Sequence, residues 1–74
     1  MLSIYQGIYS EELTIKANCK KAQMRKALEQ VFGDNAEIYL DCGVIWEDKN
    51  VAVISLITKH ALELYDALAG LLNG

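Results

Sequence analysis

The chain holds one histidine, His60, and two cysteines, Cys19 and Cys42, so general-base, metal or thiol chemistry would have to begin with these three side chains. A histidine-based triad needs an acidic orienter and a nucleophile within hydrogen-bond reach. Ser55 and Thr58 are near His60 in sequence, but Ser55 falls inside an apolar run and Thr58 suits a helix cap. His60 is therefore expected to be a solvated first-turn histidine. Zinc bound by Cys19, Cys42 and His60 would require three distant segments to converge without any local ligand pair, a poor match to metal-ligand spacing. The cysteines lie 23 positions apart with no C-x-x-C, and are expected as reduced thiols of a cytoplasmic protein. Cys42 is expected at a turn tip, where Asp41 disfavours the thiolate. The five glycines form neither G-x-G-x-x-G nor G-x-x-x-x-G-K-[ST], so no glycine loop is arranged to cradle phosphate. No metal, no cofactor and no enzymatic activity are expected.

Binding chemistry has one local signal. Residues 1–26 place Lys16, Lys20, Lys21, Arg25 and Lys26 against Glu11 and Glu12, whereas residues 27–74 place Lys49 and Lys59 against eight acids. Cations at a helix N-terminus oppose the macrodipole, yet free N–H groups with Lys20 and Lys21 beside them could hold a phosphate or an acidic side chain. The plainer account is a solvated face with Arg25 and Glu29 as an i,i+4 pair. The net charge of −3 opposes nonspecific nucleic-acid binding. Trp46, Tyr39 and Tyr5 could stack on bases, but their strands lack interleaved Lys or Arg, which favours packing roles.

The element that must organise the fold is V-A-V-I-S-L-I, Val51–Ile57. Alternate residues of a strand face opposite ways, and here both faces are apolar, so the run predicts an interior strand covered on two sides. Residues 12–17 alternate cleanly, with Leu13, Ile15 and Ala17 inward. Residues 2–9 form either a hairpin partner for them or a loosely attached arm. Asn18 is a plausible N-cap for a helix from Cys19 to Phe32, whose apolar stripe is Met24, Ala27, Leu28, Val31 and Phe32, and Gly33 suits its C-terminal stop. A-E-I-Y-L at 36–40, V-I-W-E at 44–47 and the central run predict a three-stranded meander. Gly43 supplies a positive φ at its first turn and Asn50 at its second; alternatively Gly43 is a bulge in one long strand. Thr58 is expected to cap a helix over 59–72. There Ala61, Leu64, Leu68 and Leu71 make one apolar stripe and Leu62, Tyr65, Ala69 and Leu72 a second, with the last turn frayed by Gly70.

These elements predict a single α+β domain over residues 1–74: a two-layer sandwich, an antiparallel sheet of three to five strands with two helices on one face, in the order (β)βαβββα. With 53% hydrophobic residues and no apolar run near the roughly 20 residues of a membrane span, the expectation is a soluble, unprocessed protein without membrane contact. Apolar area exceeds what one small core hides. The expected function is that of a small non-enzymatic regulator or inhibitor that masks a surface on a larger protein partner. Leu62, Tyr65, Ala69, Leu72 and Trp46 are the candidate contacts, and the excess area also predicts a two-fold homodimer. Viral or mobile-element inhibitors such as anti-CRISPR proteins share this size and charge. The alternative is a nucleic-acid or anion-binding module using Lys16, Lys20, Lys21, Arg25 and Lys26.

Two families offer a loose resemblance. The order βαβββα from Leu13 to Leu72 resembles ribosome hibernation factors, which are strongly basic where residues 27–74 of this chain are acidic. The junction F-G-D-N at Phe32–Asn35 and N-V-A-V-I at Asn50–Ile54 resemble DinI-like RecA regulators, whose final helix is richly acidic where this one carries Glu63 and Asp66. Both resemblances imply a small regulator, and neither assigns a role to a residue.

Overall fold

The computed structural model describes residues 1–73. In chain order the elements are β1 (Leu2–Gln6), β2 (Glu12–Asn18), α1 (Lys21–Phe32), a 3-10 turn (Gly33–Asn35), α2 (Ala36–Cys42), β3 (Val44–Asp48), β4 (Val51–Ile57) and α3 (Thr58–Asn73). The strands make one antiparallel sheet in the order β1-β2-β4-β3, so the two-layer α+β reading holds with four strands. The helices cover one face. Leu13, Ile15 and Ala17 of β2 stand opposite Leu56, Ile54 and Ala52 of β4, and this inner row is buried against Met24, Ala27 and Leu28 of α1 and Ala61, Leu64 and Leu68 of α3. No helix among the described residues is long and apolar enough to cross a membrane.

Several local expectations are corrected. Residues 36–40 are helical, so the order is ββαββα, a third short helix is present, and the βαβββα order of the hibernation factors is not reproduced. A strand would have put Ala36, Ile38 and Leu40 on one face. In the helix Ala36 and Leu40 are buried while Ile38 is 62% exposed. Two contacts hold α2 against α1: Phe32 and Tyr39 stack with centroids 3.8 Å apart, and Arg25 Nε donates to Glu37 Oε2 at 2.8 Å. Gly43 has φ −98 and belongs to neither a positive-φ turn nor a bulge; it ends α2, and its N–H donates to the Tyr39 carbonyl. A Cβ there would stand 2.9 Å from that carbonyl oxygen, which explains the glycine by close approach.

Asn50 does not take a positive φ either; the irregularity of the last hairpin is a bulge in β3 between Trp46 and Asp48. Asn18 closes β2, and the helix N-cap is Lys20. An ammonium cannot accept a hydrogen bond, so only the reciprocal half of a capping box forms, with the Lys20 N–H donating to Gln23 Oε1 at 2.8 Å. Thr58 does not cap α3: both its N–H and its hydroxyl donate to the Glu11 carbonyl, tying the start of the helix to β2. Residues 2–6 are the hairpin partner of β2 rather than an arm.

Gly33 and Gly70 have open space where a Cβ would go, yet their backbones differ. Gly33 sits at φ 58, ψ −126, a region that only glycine occupies without strain. Gly70 lies inside α3, which runs through it to Asn73 instead of fraying. Gly33→Ala should cost about 1–3 kcal/mol and Gly70→Ala should add about 1 kcal/mol. Urea denaturation midpoints moving in opposite directions would verify both; a shift of the same sign would contradict the backbone assignment.

Candidate functional site

Because successive side chains alternate, the residues that do not face the helices form a second sheet face. Its rows follow from the register: Ser3, Lys16, Val53 and Ile45 lie side by side across four strands, and Tyr5, Thr14 and Ser55 make the next row. No layer of the described chain covers this face. Ile45 is 67% exposed, Ile57 51% and Tyr5 48%, while Val51 and Val53 are half-buried. The expectation that Val51–Ile57 is covered on both sides therefore fails for the single chain. Val51, Val53, Ser55 and Ile57 of this strand lie on the open surface, while Ala52, Ile54 and Leu56 are in the core.

Two polar pairs punctuate the surface and consume each other's capacity. Thr14 Oγ1 and Ser55 Oγ share a hydrogen bond of 2.8 Å, which satisfies a threonine that is only 7% exposed. Lys16 Nζ meets Glu47 Oε1 at 2.9 Å. Since β4 lies between β2 and β3, the lysine must span β4 to reach that carboxylate, laying its methylenes along the valine row. The hydrogen bond that Lys16 donates to Glu47, together with the carboxylate's charge, raises the Lys16 pKa. The surface is thus apolar along Val51, Val53 and Ile57 of β4 and at Ile45, polar along β2, and neutral in its one ion pair.

The basic residues are not gathered into one site. Lys16 is on the open sheet face, paired to Glu47; Arg25 is paired to Glu37, which raises its pKa. Lys20 and Lys21 are exposed at the start of α1 and Lys26 one turn on, but the amides of Gln23 and Met24 both donate back to the Lys20 carbonyl. An anion there would meet fewer free donors than the sequence suggests. The apolar candidates divide as well. Tyr65, Ala69 and Leu72 line a shallow groove with Met1 and Leu2 along the β1 edge, and Leu62 is 51% exposed one turn before Tyr65. Trp46 lies half-buried on the helix side of β3, the opposite edge strand.

His60 is half-buried rather than solvated, edge-on to Phe32 with centroids 5.1 Å apart. Among the described residues no group of His, Cys, Asp or Glu side chains is placed to hold a metal ion. The chain matches no protein-family model, no curated protein and no solved structure. Ile45, Val53 and Ile57 lie on this face with Tyr5, the residue that the sequence offers as a stacking candidate. Their signal in the sequence is the two-sided apolarity of β4, which predicts apolar surface in excess of what the helices cover.

Both cysteines are free, Cys19 buried and Cys42 exposed on the last turn of α2, not at a turn tip. Burial raises the Cys19 thiol pKa, so the folded state favours the protonated form and this contribution to stability is lost as pH rises through the raised value. A disulfide-exchange reagent at mildly alkaline pH should label Cys42 rapidly and Cys19 only on unfolding. Equal rates for the two thiols would show that Cys19 is accessible in the native state.

Proposed function

We propose that the protein is a small non-enzymatic regulator or inhibitor that binds a larger protein through the open face of its sheet. The observation that carries this reading is the open sheet face, on which Ile45, Ile57 and Tyr5 are exposed and Val51 and Val53 half-buried. Four strands spaced about 4.8 Å apart and roughly 20 Å long present on the order of 400 Å² in projection. The apolar part of that area is the strip of Val51, Val53 and Ile57 on β4 with Ile45 and Tyr5, and an exposed apolar cluster rimmed by polar residues marks an interaction site. Lys16 and Glu47 neutralise each other there, so the matching surface on the partner is apolar, and burial rather than charge steering drives association. Inhibitors encoded by phages or mobile elements, anti-CRISPR proteins among them, share this size and charge, and the chain fits that class of role.

Salt and mutation separate this reading from anion binding. Association with the protein partner should change little between about 50 and 200 mM salt, whereas phosphate binding weakens steeply over that range. Ile45→Glu should weaken partner binding by at least about tenfold. Lys20→Glu with Lys21→Glu should leave it unchanged. Retention of nucleic acid instead, lost with salt and with the lysine pair but indifferent to Ile45→Glu, would overturn the proposal.

A further inference from the structure

The two edges of the sheet are protected unequally against an added strand. β3 carries Glu47 and Asp48, and its ladder is interrupted by the bulge between Trp46 and Asp48. Charges and bulges are both devices that stop an edge from templating another chain. β1 reads L-S-I-Y-Q, with no charge, proline or glycine and an unbroken register against β2. The bonds at the ends of that ladder show which of its groups are unspent. The Asn18 N–H donates to the Met1 carbonyl at 2.8 Å and the Gly7 N–H to the Glu12 carbonyl at 3.1 Å. In an antiparallel pair the bonded positions alternate, so Ser3 and Tyr5 belong with Met1 and Gly7 in facing β2. Leu2, Ile4 and Gln6 direct their N–H and C=O groups to the free edge.

A groove with an apolar wall from α3 and with Asn18 and Asn73 also in its lining runs along this same edge. On the helix side, Leu62 is 51% exposed and Tyr65, Ala69 and Leu72 are half-buried in the groove beside Leu2. The core uses the other stripe of α3, Ala61, Leu64 and Leu68, so this one is left over.

We infer that β1 and the outer stripe of α3 together form the interface of a two-fold dimer. β1 lies antiparallel to its counterpart, with Ile4 opposite Ile4 of the partner subunit and Leu2 opposite Gln6 of the partner subunit. The occupant is a second copy because the edge is self-complementary. Its three outward-facing positions are spaced evenly about Ile4, so each bonded position meets another, it has no charge to repel an identical strand, and the same rotation sets one α3 stripe against the other. The resulting eight-stranded sheet satisfies the unspent backbone groups and covers the leftover stripe at once.

The size of the seam sets its strength. α3, at 16 residues, is about 24 Å long, and one strand layer plus one helix layer is about 20 Å deep. The projected area is on the order of 500 Å², below the roughly 800 Å² per subunit of a standard stable interface. The pair is therefore a weak dimer that dissociates on dilution. The open sheet face is not used in it, so this inference and the proposed function fail independently.

Sedimentation over about 1 to 500 μM should show a mass rising from one chain toward two. Hydrogen exchange at the high end should slow at the amides of Leu2, Ile4 and Gln6 and not at the low end. Ile4→Pro deletes an outward N–H while sparing the β2 ladder, a position where an edge strand tolerates proline; it should remain a single chain with an unchanged circular-dichroism spectrum. Leu62→Glu alters an exposed side chain and should weaken pairing about tenfold. Ile45→Glu should leave the mass rise intact. A single-chain mass throughout would overturn the inference. So would a dimer that Ile45→Glu dissolves while Leu62→Glu and the three amides are indifferent, since that pattern assigns the contact to the open sheet face. Should Ile4→Pro fail to fold, the wild-type exchange pattern and Leu62→Glu still decide between these outcomes.

Discussion

The pairing of β2 with β4 is the constraint on which everything else rests. It joins Leu13, Ile15 and Ala17 to Leu56, Ile54 and Ala52, while α1, α2 and β3 all lie in the chain between the two strands. Closing a loop of that length costs about 3 kcal/mol before any contact is gained. Burial of one or two aliphatic side chains, at about 1.5–3 kcal/mol each, offsets it. At the end of the row Ala17 faces Ala52, both fully buried. Ala61, Leu64 and Leu68 of α3 belong to the same buried cluster as these strand residues. The Glu11 carbonyl then accepts both donors of Thr58. The turn from β4 into α3 is therefore fixed by the strand that β4 pairs with.

The fold was legible where periodicity had length to work with. β2 alternates over residues 12–17, β4 is an apolar-rich run of seven residues, and α1 and α3 show three or more turns of apolar stripe. At 36–40 the chain offers five residues, A-E-I-Y-L, and both templates fit. A strand groups Ala36, Ile38 and Leu40, whereas a helix groups Ala36, Tyr39 and Leu40. What decides is outside the segment: Phe32 supplies a ring for Tyr39, Arg25 supplies a charge for Glu37, and the Tyr39 carbonyl needs a neighbour without a Cβ at Gly43. Each partner is visible in the sequence, but the geometry that joins them comes only with the fold. The caps failed for a related reason. Asn18 and Thr58 have the right side chains for helix starts, but the ladder holds Asn18 in β2, and Glu11 takes the hydrogen bonds of Thr58.

The candidate site was legible as composition and not as a surface. Five basic residues close together in sequence suggested a patch, but strand alternation sends Lys16 to the face away from the helices, and acids far along the chain neutralise Lys16 and Arg25. Two-sided apolarity in β4 signals surplus on the second sheet face, and that is where Ile45 and Ile57 are exposed. The inference from an apolar face to a covered face assumes that the chain itself supplies the cover. Two helices over one face use up the apolar helical surface that faces inward, and residues 2–6, the segment that might have folded across the other face, extend the sheet instead.

That use of residues 2–6 also determines the form of what remains. Had β1 folded over the sheet, β2 would have been an edge strand and the second face closed; as an added strand it widens the open face and carries the free edge outward to an uncharged segment. The face and the edge are then perpendicular to each other, the first offering side chains and the second backbone groups, so occupying one does not block the other. If β1 joins its counterpart, the two open faces become continuous across the axis, and the natural twist of an eight-stranded sheet curves them together. A partner spanning that surface would touch both copies at once. Its affinity for the pair would exceed its affinity for one chain, because the second contact forms at the effective concentration set by the first.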